Sequence, residues 1–172
     1  YGDDFDRLWG ELAPVPEANV HTVAERVLGL ECFPSPGHAG HHVCYVGQEG
    51  TLFAGDAAGV RIRPSEFVLP PTPPPDVDLE AWERTIDELE VRNPERIALI
   101  HFGVFDDVER HLGELRARLR EWAERVRAGA SEQEFDDEAS RDLGPDHEAY
   151  EQAMPFWQSY AGLKRYWEKQ AA

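Results

Sequence analysis

The chain has 172 residues, of which 34 are acidic and 17 are Lys or Arg, giving a formal charge of −17. With 41% hydrophobic residues and five tryptophans it can build one domain around a packed core, which excludes a disordered polypeptide. No apolar run approaches the roughly 20 residues of a membrane span, no signal-peptide pattern opens the chain, and the negative field repels phosphate backbones and anionic lipid, so neither membranes nor nucleic acid are expected partners.

Asp3 to Glu11 are predicted to form a short amphipathic helix with Phe5, Leu8 and Trp9 on one side, ended by Pro14 and Pro16. Val20 to Arg26 alternate weakly, and Val27 to Phe33 is a stronger strand candidate. His42 to Gly47 and Thr51 to Ala54 flank Gln48-Glu49-Gly50, a hairpin signal. Cys32 and Cys44 fall on neighbouring predicted strands and read as buried thiols of a cytoplasmic protein, with a disulfide as the alternative. The run Leu69-Pro70-Pro71-Thr72-Pro73-Pro74-Pro75-Asp76 is either a stiff surface spacer or a loop that frames the mouth of a site.

Asp78 suits the N-cap of a helix carrying Ala81, Trp82, Thr85, Ile86 and Leu89, which Asn93-Pro94 stops. Ile97 to Ile100 reads as a short buried strand. Asp106-Asp107 open a long helix to about Ala128, with Val108, His111, Leu112, Leu115, Leu119, Trp122 and Val126 as its apolar stripe and Gly129 as its breaker. Ser131 to Arg141 is acidic, either a short helix or a mobile linker. Asp146 is expected to cap a last helix, kinked near Pro155 and rich in aromatic residues. Strands first and helices later fit an α+β or layered α/β architecture.

Three predicted strands lead into residues with metal-ligand chemistry. Pro36-Gly37-His38 follows the first, Gly55-Asp56 follows Thr51-Leu52-Phe53-Ala54, and His101-Phe102-Gly103 follows Arg96-Ile97-Ala98-Leu99-Ile100. Two imidazoles and a carboxylate at rigid strand ends are the N and O donors that zinc-type ions take. His41 and His42 follow His38 closely and read either as supports or substrate contacts of such a site, or as a loop cap and a sheet residue respectively. His111 reads as a packed core histidine, and His21 and His147 as surface residues.

The order Pro-Gly-His, hairpin, Leu-Phe-x-Gly-Asp, then a helix–strand unit closing on His resembles the second half of the metallo-β-lactamase (metallohydrolase) superfamily, over about Tyr1 to His111. The resemblance implies an α+β fold that is half of an αββα sandwich, with residues 1–128 as the C-terminal part of that domain. Residues 129–172 are then a helical extension that packs on it or forms a dimer interface. It also implies that His38 and Asp56 bind a first metal, that Asp56 bridges to a second, and that His101 binds the second. The metal would be Zn, two per complete protein, with Fe or Mn as alternatives. A metal-bound hydroxide would attack an ester, thioester, lactone or phosphoester of a small molecule, with glyoxalase-II-like thioester hydrolysis the mild preference. Asp56 would orient that hydroxide.

The family's upstream His-x-His-x-Asp-His is missing: the seven histidines are 21, 38, 41, 42, 101, 111 and 147, and no two are separated by a single residue. Without that motif the chain is expected to be part of a hydrolase, inactive without the missing N-terminal half, and to form a homodimer or associate with that half. The alternative is a non-catalytic binding or dimerisation module that keeps relic ligands.

Overall fold

The computed structural model describes residues 10–22 and 25–171; the helix expected over 3–11 falls almost wholly outside them. Six strands form one sheet in sequence order: β1 (Arg26–Val27), β2 (Leu30–Pro34), β3 (Val43–Val46), β4 (Thr51–Phe53), β5 (Arg96–Ala98) and β6 (Val104–Phe105). All neighbouring pairs are antiparallel except β4 and β5, which are parallel, with Phe53 opposite Ala98. That one parallel pair needs a crossover, and helix α1 (Leu79–Arg92) supplies it. Since β2 and β4 both oppose β3, the strands β2, β4 and β5 all run the same way.

The strand expected over 27–33 is two strands. Leu28 and Gly29 both have positive φ and fold β1 back on β2 as a two-residue hairpin, so Leu28 is left exposed at its tip. The strand expected to reach Ile100 stops at Ala98, because Leu99 N–H turns to the Gly103 carbonyl (3.0 Å) and closes a tight loop. Asp78 caps α1 as its position suggests, its carboxylate accepting from Ala81 N–H at 2.9 Å, and Asn93 ends the helix in the left-handed region.

One core lies between the sheet and two helices. Phe33, Cys44, Leu52, Ile97 and Phe105 point to one face, where Trp82, Ile86 and Leu89 of α1 meet Leu112, Leu115 and Leu119 of α2 (Val108–Arg127). Cys32 and Cys44 are both buried thiols. Burial pushes the Cys44 thiol up to about 11. Beyond Gly129 the chain forms α3 (Glu132–Leu143), which starts in a Ser131/Glu134 capping box, so this acidic stretch is helix rather than linker. The expected single kinked helix is two, α4 (His147–Ala153) and α5 (Phe156–Gln170), separated at Met154-Pro155; Asp146 makes no side-chain cap. A second core forms where Trp122 and Val126 of α2 meet Phe135, Tyr150, Phe156 and Leu163, with Trp122 edge-on to Phe135 at 5.0 Å.

On the opposite sheet face Val43, Phe53 and Val104 are exposed large apolar side chains, and Ile100, just beyond β5, is exposed beside them. No helix among the described residues is long and apolar enough to cross a membrane.

The start of α2 is tied to the sheet by Arg61. Its buried guanidinium Nη1 donates to both Asp107 oxygens (2.8 and 2.9 Å), and its head stacks over Phe105. Burial pushes the Asp107 carboxyl up, but hydrogen bonds from Arg61 and Arg110 more than reverse this and hold it down at about 2, against an ordinary 3.8. A carboxyl depressed on folding stabilises fully above its unfolded pKa and loses that contribution as pH falls through the folded one. Asp107→Asn is therefore expected to melt below the parent chain at neutral pH. The gap should shrink between about pH 4 and pH 2; melting curves showing a constant gap across that window would remove Asp107 from the acid response.

Candidate metal centre

The shared direction of β2, β4 and β5 brings three loops out at one edge of the sheet, the carboxyl ends where α/β proteins place their ligands. His38 follows β2, Asp56 follows β4 and His101 follows β5. Asp56 lies between the imidazoles and divides its oxygens. His38 Nε2 is 3.8 Å from Oδ2, and His101 Nε2 is 3.7 Å from Oδ1. His38 and Asp56 are mostly enclosed, whereas His101 is half exposed on its loop. Phe102, next to His101, has φ +70°, a left-handed strain carried beside the site.

Each group is held from behind. Asp56 sits in a 3-10 turn, Gly55–Ala58, whose last carbonyls are gripped by two buried donors: Trp82 Nε1–H to Ala57 O at 2.8 Å and His111 Nε2–H to Ala58 O at 2.7 Å. His111 is a core histidine, and it also fixes the turn that presents Asp56. Burial keeps its pKa below the ordinary imidazole value. His38 packs edge-on to Trp82 and lies 2.8 Å from Pro71 O through Nδ1. A carbonyl only accepts, so Nδ1–H donates to it and Nε2 is the nitrogen that faces Asp56.

His42 is nearer the site than its place after a loop suggests. Its Nδ1 bonds Ser35 Oγ at 2.7 Å, its ring meets His38 edge-on, and its Nε2 side covers Gly55. Burial first, and His38 second, keep its pKa below the ordinary imidazole value. His41, His21 and His147 do not join the cluster: His41 and His21 are exposed, and His147 is half buried, donating to Gly144 O. The proline-rich run is buried over Leu69 to Thr72 and exposed over Pro74 to Asp76, so its first half packs into the fold rather than spanning the surface. An apolar hollow of 280 Å³ opens beside the site, lined by Tyr45, Phe53, Gly55 and Ile100 among others.

Two ligands of one zinc, each about 2.0–2.1 Å from it, stand at most about 4.2 Å apart. The 3.7 and 3.8 Å separations lie within that limit, so each imidazole stands close enough to Asp56 to share an ion with it. The donors present do not complete a site: among the described residues no group of three or more His, Cys, Asp or Glu could hold a metal ion.

The metallo-β-lactamase superfamily model matches residues 9–101. No curated protein matches. Among solved structures, a metallo-β-lactamase family protein from Thermus thermophilus superposes with a TM-score of 0.56 at 24% identity, over 83% of this chain and 45% of that one. An archaeal metallo-β-lactamase superfamily protein from Sulfolobus tokodaii superposes with a TM-score of 0.58 at 20% identity, over 96% of this chain and 59% of that one. At these identities the likeness is one of fold, and the chain spans about half the length of these structures.

Proposed function

Because this chain belongs to the metallo-β-lactamase superfamily, we propose that it is the C-terminal part of a metal-dependent hydrolase acting on a small-molecule ester, thioester, lactone or phosphoester. The observation that carries this reading is the Asp56 carboxylate turned between His38 and His101, one oxygen toward each. A module that only binds partners has no physical need for that arrangement at three strand ends. When bound, a pair of zinc-type ions supplies Lewis acidity and makes water nucleophilic near neutral pH. His38 and Asp56 would hold one ion, and Asp56 and His101 the other. Trp82 and His111 keep the Asp56 turn from shifting, and the Pro71 carbonyl keeps the His38 lone pair outward. The apolar hollow beside Gly55 offers the acyl part of a substrate a dry wall. The chain's charge disfavours polyanionic substrates such as nucleic acid.

The remaining donors and the cover for the open sheet face come, on this reading, from the other half of the sandwich. Two features support a second layer: the exposed apolar side chains on that face, and the parallel β4–β5 pair, a pairing that is ordinarily covered on both sides. Elemental analysis tests the proposal on this chain and on the same chain completed by a half bearing His-x-His-x-Asp-His. About two ions per completed molecule, with little metal on the 172-residue chain, is the expected result. No metal on either would overturn the hydrolase reading and leave a non-catalytic binding or dimerising module.

A further inference from the structure

The C-terminal helix touches the site through the proline strap. Gly162 of α5 lies directly on the strap: a Cβ there would fall onto the Thr72 carbonyl oxygen and crowd the Pro73 carbonyl carbon. Thr72 is fully buried, and its hydroxyl donates to Ser159 O, about one turn earlier on α5, at 3.1 Å. Lys169, in the last turn of α5, donates to Pro75 O at 3.1 Å. The helix thus holds the strap at three places, and the carbonyl just before Thr72 is Pro71 O, the acceptor of the His38 proton.

The strap is also anchored at its ends, beside the other parts of the site. Val60 and Leu69 exchange both backbone hydrogen bonds at 2.9 Å, just after the turn that carries Asp56. Asp78 N–H donates to Gly37 O at 2.9 Å, immediately before His38. Between these anchors run five prolines, whose locked φ lets the segment transmit a displacement rather than absorb it. Which imidazole nitrogen of a histidine is protonated is set by the hydrogen bond its other nitrogen makes.

We propose that α5 is a positioning element for His38, with Gly162 and Thr72 as the positioning residues. They hold the Pro71 carbonyl where it keeps His38 in the Nδ1–H tautomer and leaves Nε2 toward Asp56. The purpose of this arrangement rests on the metal reading above, but the arrangement itself is measurable without metal.

The test is the tautomer of His38, read from long-range proton–nitrogen spectra of the whole 172-residue chain with labelled imidazoles, at a pH where they are neutral. The parent chain is expected to show Nδ1–H alone. Thr72→Val, which removes only the hydroxyl, and Gly162→Ala are expected to show a mixture with the Nε2–H form. Gly113→Ala, with nothing within 4 Å of its added methyl, should leave the parent pattern. Pure Nδ1–H in folded Thr72→Val and Gly162→Ala overturns the proposal, as does Nε2–H in the parent; if Gly162→Ala fails to fold, Thr72→Val decides alone. Zinc affinity of the completed protein is the second readout, expected to fall about 10–100-fold in Thr72→Val. A shifted tautomer in a protein that never binds zinc would sink the metal reading and leave the positioning role standing.

Discussion

Asp56→Ala is expected to strip both metals from the completed protein and to lower hydrolysis by more than about 100-fold, since loss of groups that merely orient a ligand already costs about 10–100-fold. The expectation follows from the division of one carboxylate between two imidazoles. On the proposed reading, removing His38 or His101 would take a donor from one ion, whereas removing Asp56, which faces both imidazoles, would take a donor from each. The fold should survive. The turn carrying Asp56 is fixed by its backbone, through Trp82 to Ala57 and His111 to Ala58, and not by the carboxylate. With both proteins metal-free, stability should therefore stay within about 1 kcal/mol of the parent, near the small changes typical of partly exposed positions. Metal content and turnover measured together separate the outcomes. Full turnover in Asp56→Ala would end the hydrolase assignment, whereas metal loss with a melting point equal to that of the metal-free parent is the signature of a lost ligand.

Gly37→Ala is expected to be the most damaging single methyl in the His38 loop. Gly37 has φ +138°, where side chains are strained, and a Cβ would overlap the Cα and Cβ of Trp82. Trp82 cannot retreat. It is fully buried between sheet and helices, its indole N–H is bound to Ala57 O, and its ring packs against His38. Backbone strain and overpacking together cost about 2–6 kcal/mol, a large share of the roughly 5–15 kcal/mol that holds a domain together. A drop of at least about 5 °C in melting temperature follows, with loss of the Asp78 N–H to Gly37 O bond that ties the strap to the loop. Gly40→Ala, three residues on, meets nothing within 4 Å and is the matched control. Equal melting points for the two variants would show that the loop yields and that Trp82 does not fix it.

The elements most legible from the residues are those whose cause is local. The α1 start at Asp78, its stop at Asn93 and the apolar stripe of α2 follow from capping chemistry and a 3.6-residue period, which need no knowledge of the rest of the molecule. The candidate ligands are legible for a related reason: His38, Asp56 and His101 each end an apolar run, and strand ends are where chemistry is exposed. Differences cluster where a neighbour decides. Leu28-Gly29 reads as strand interior because β1 and β2 are too short to carry a period. Ile100 loses its place in the sheet to the Leu99–Gly103 hydrogen bond. Met154-Pro155 breaks the chain into two helices, where the stripe alone implies one.

By itself, then, the sequence determined which residues could be ligands, that the upstream His-x-His-x-Asp-His set is not among these 172 residues, and that the fold is α+β of the metallo-β-lactamase kind. Only the tertiary structure decided how those ligands are held. That Asp56 stands between two imidazoles, that His42 abuts Gly55, that His111 grips Ala58, and that a proline-rich run pressed by α5 accepts the His38 Nδ1–H hydrogen bond are all contacts between residues far apart in the chain. Such contacts depend on strand direction and on which backbone carbonyls face inward. Neither periodicity nor composition records a carbonyl's direction, because every residue has one and only the folded path says where it points.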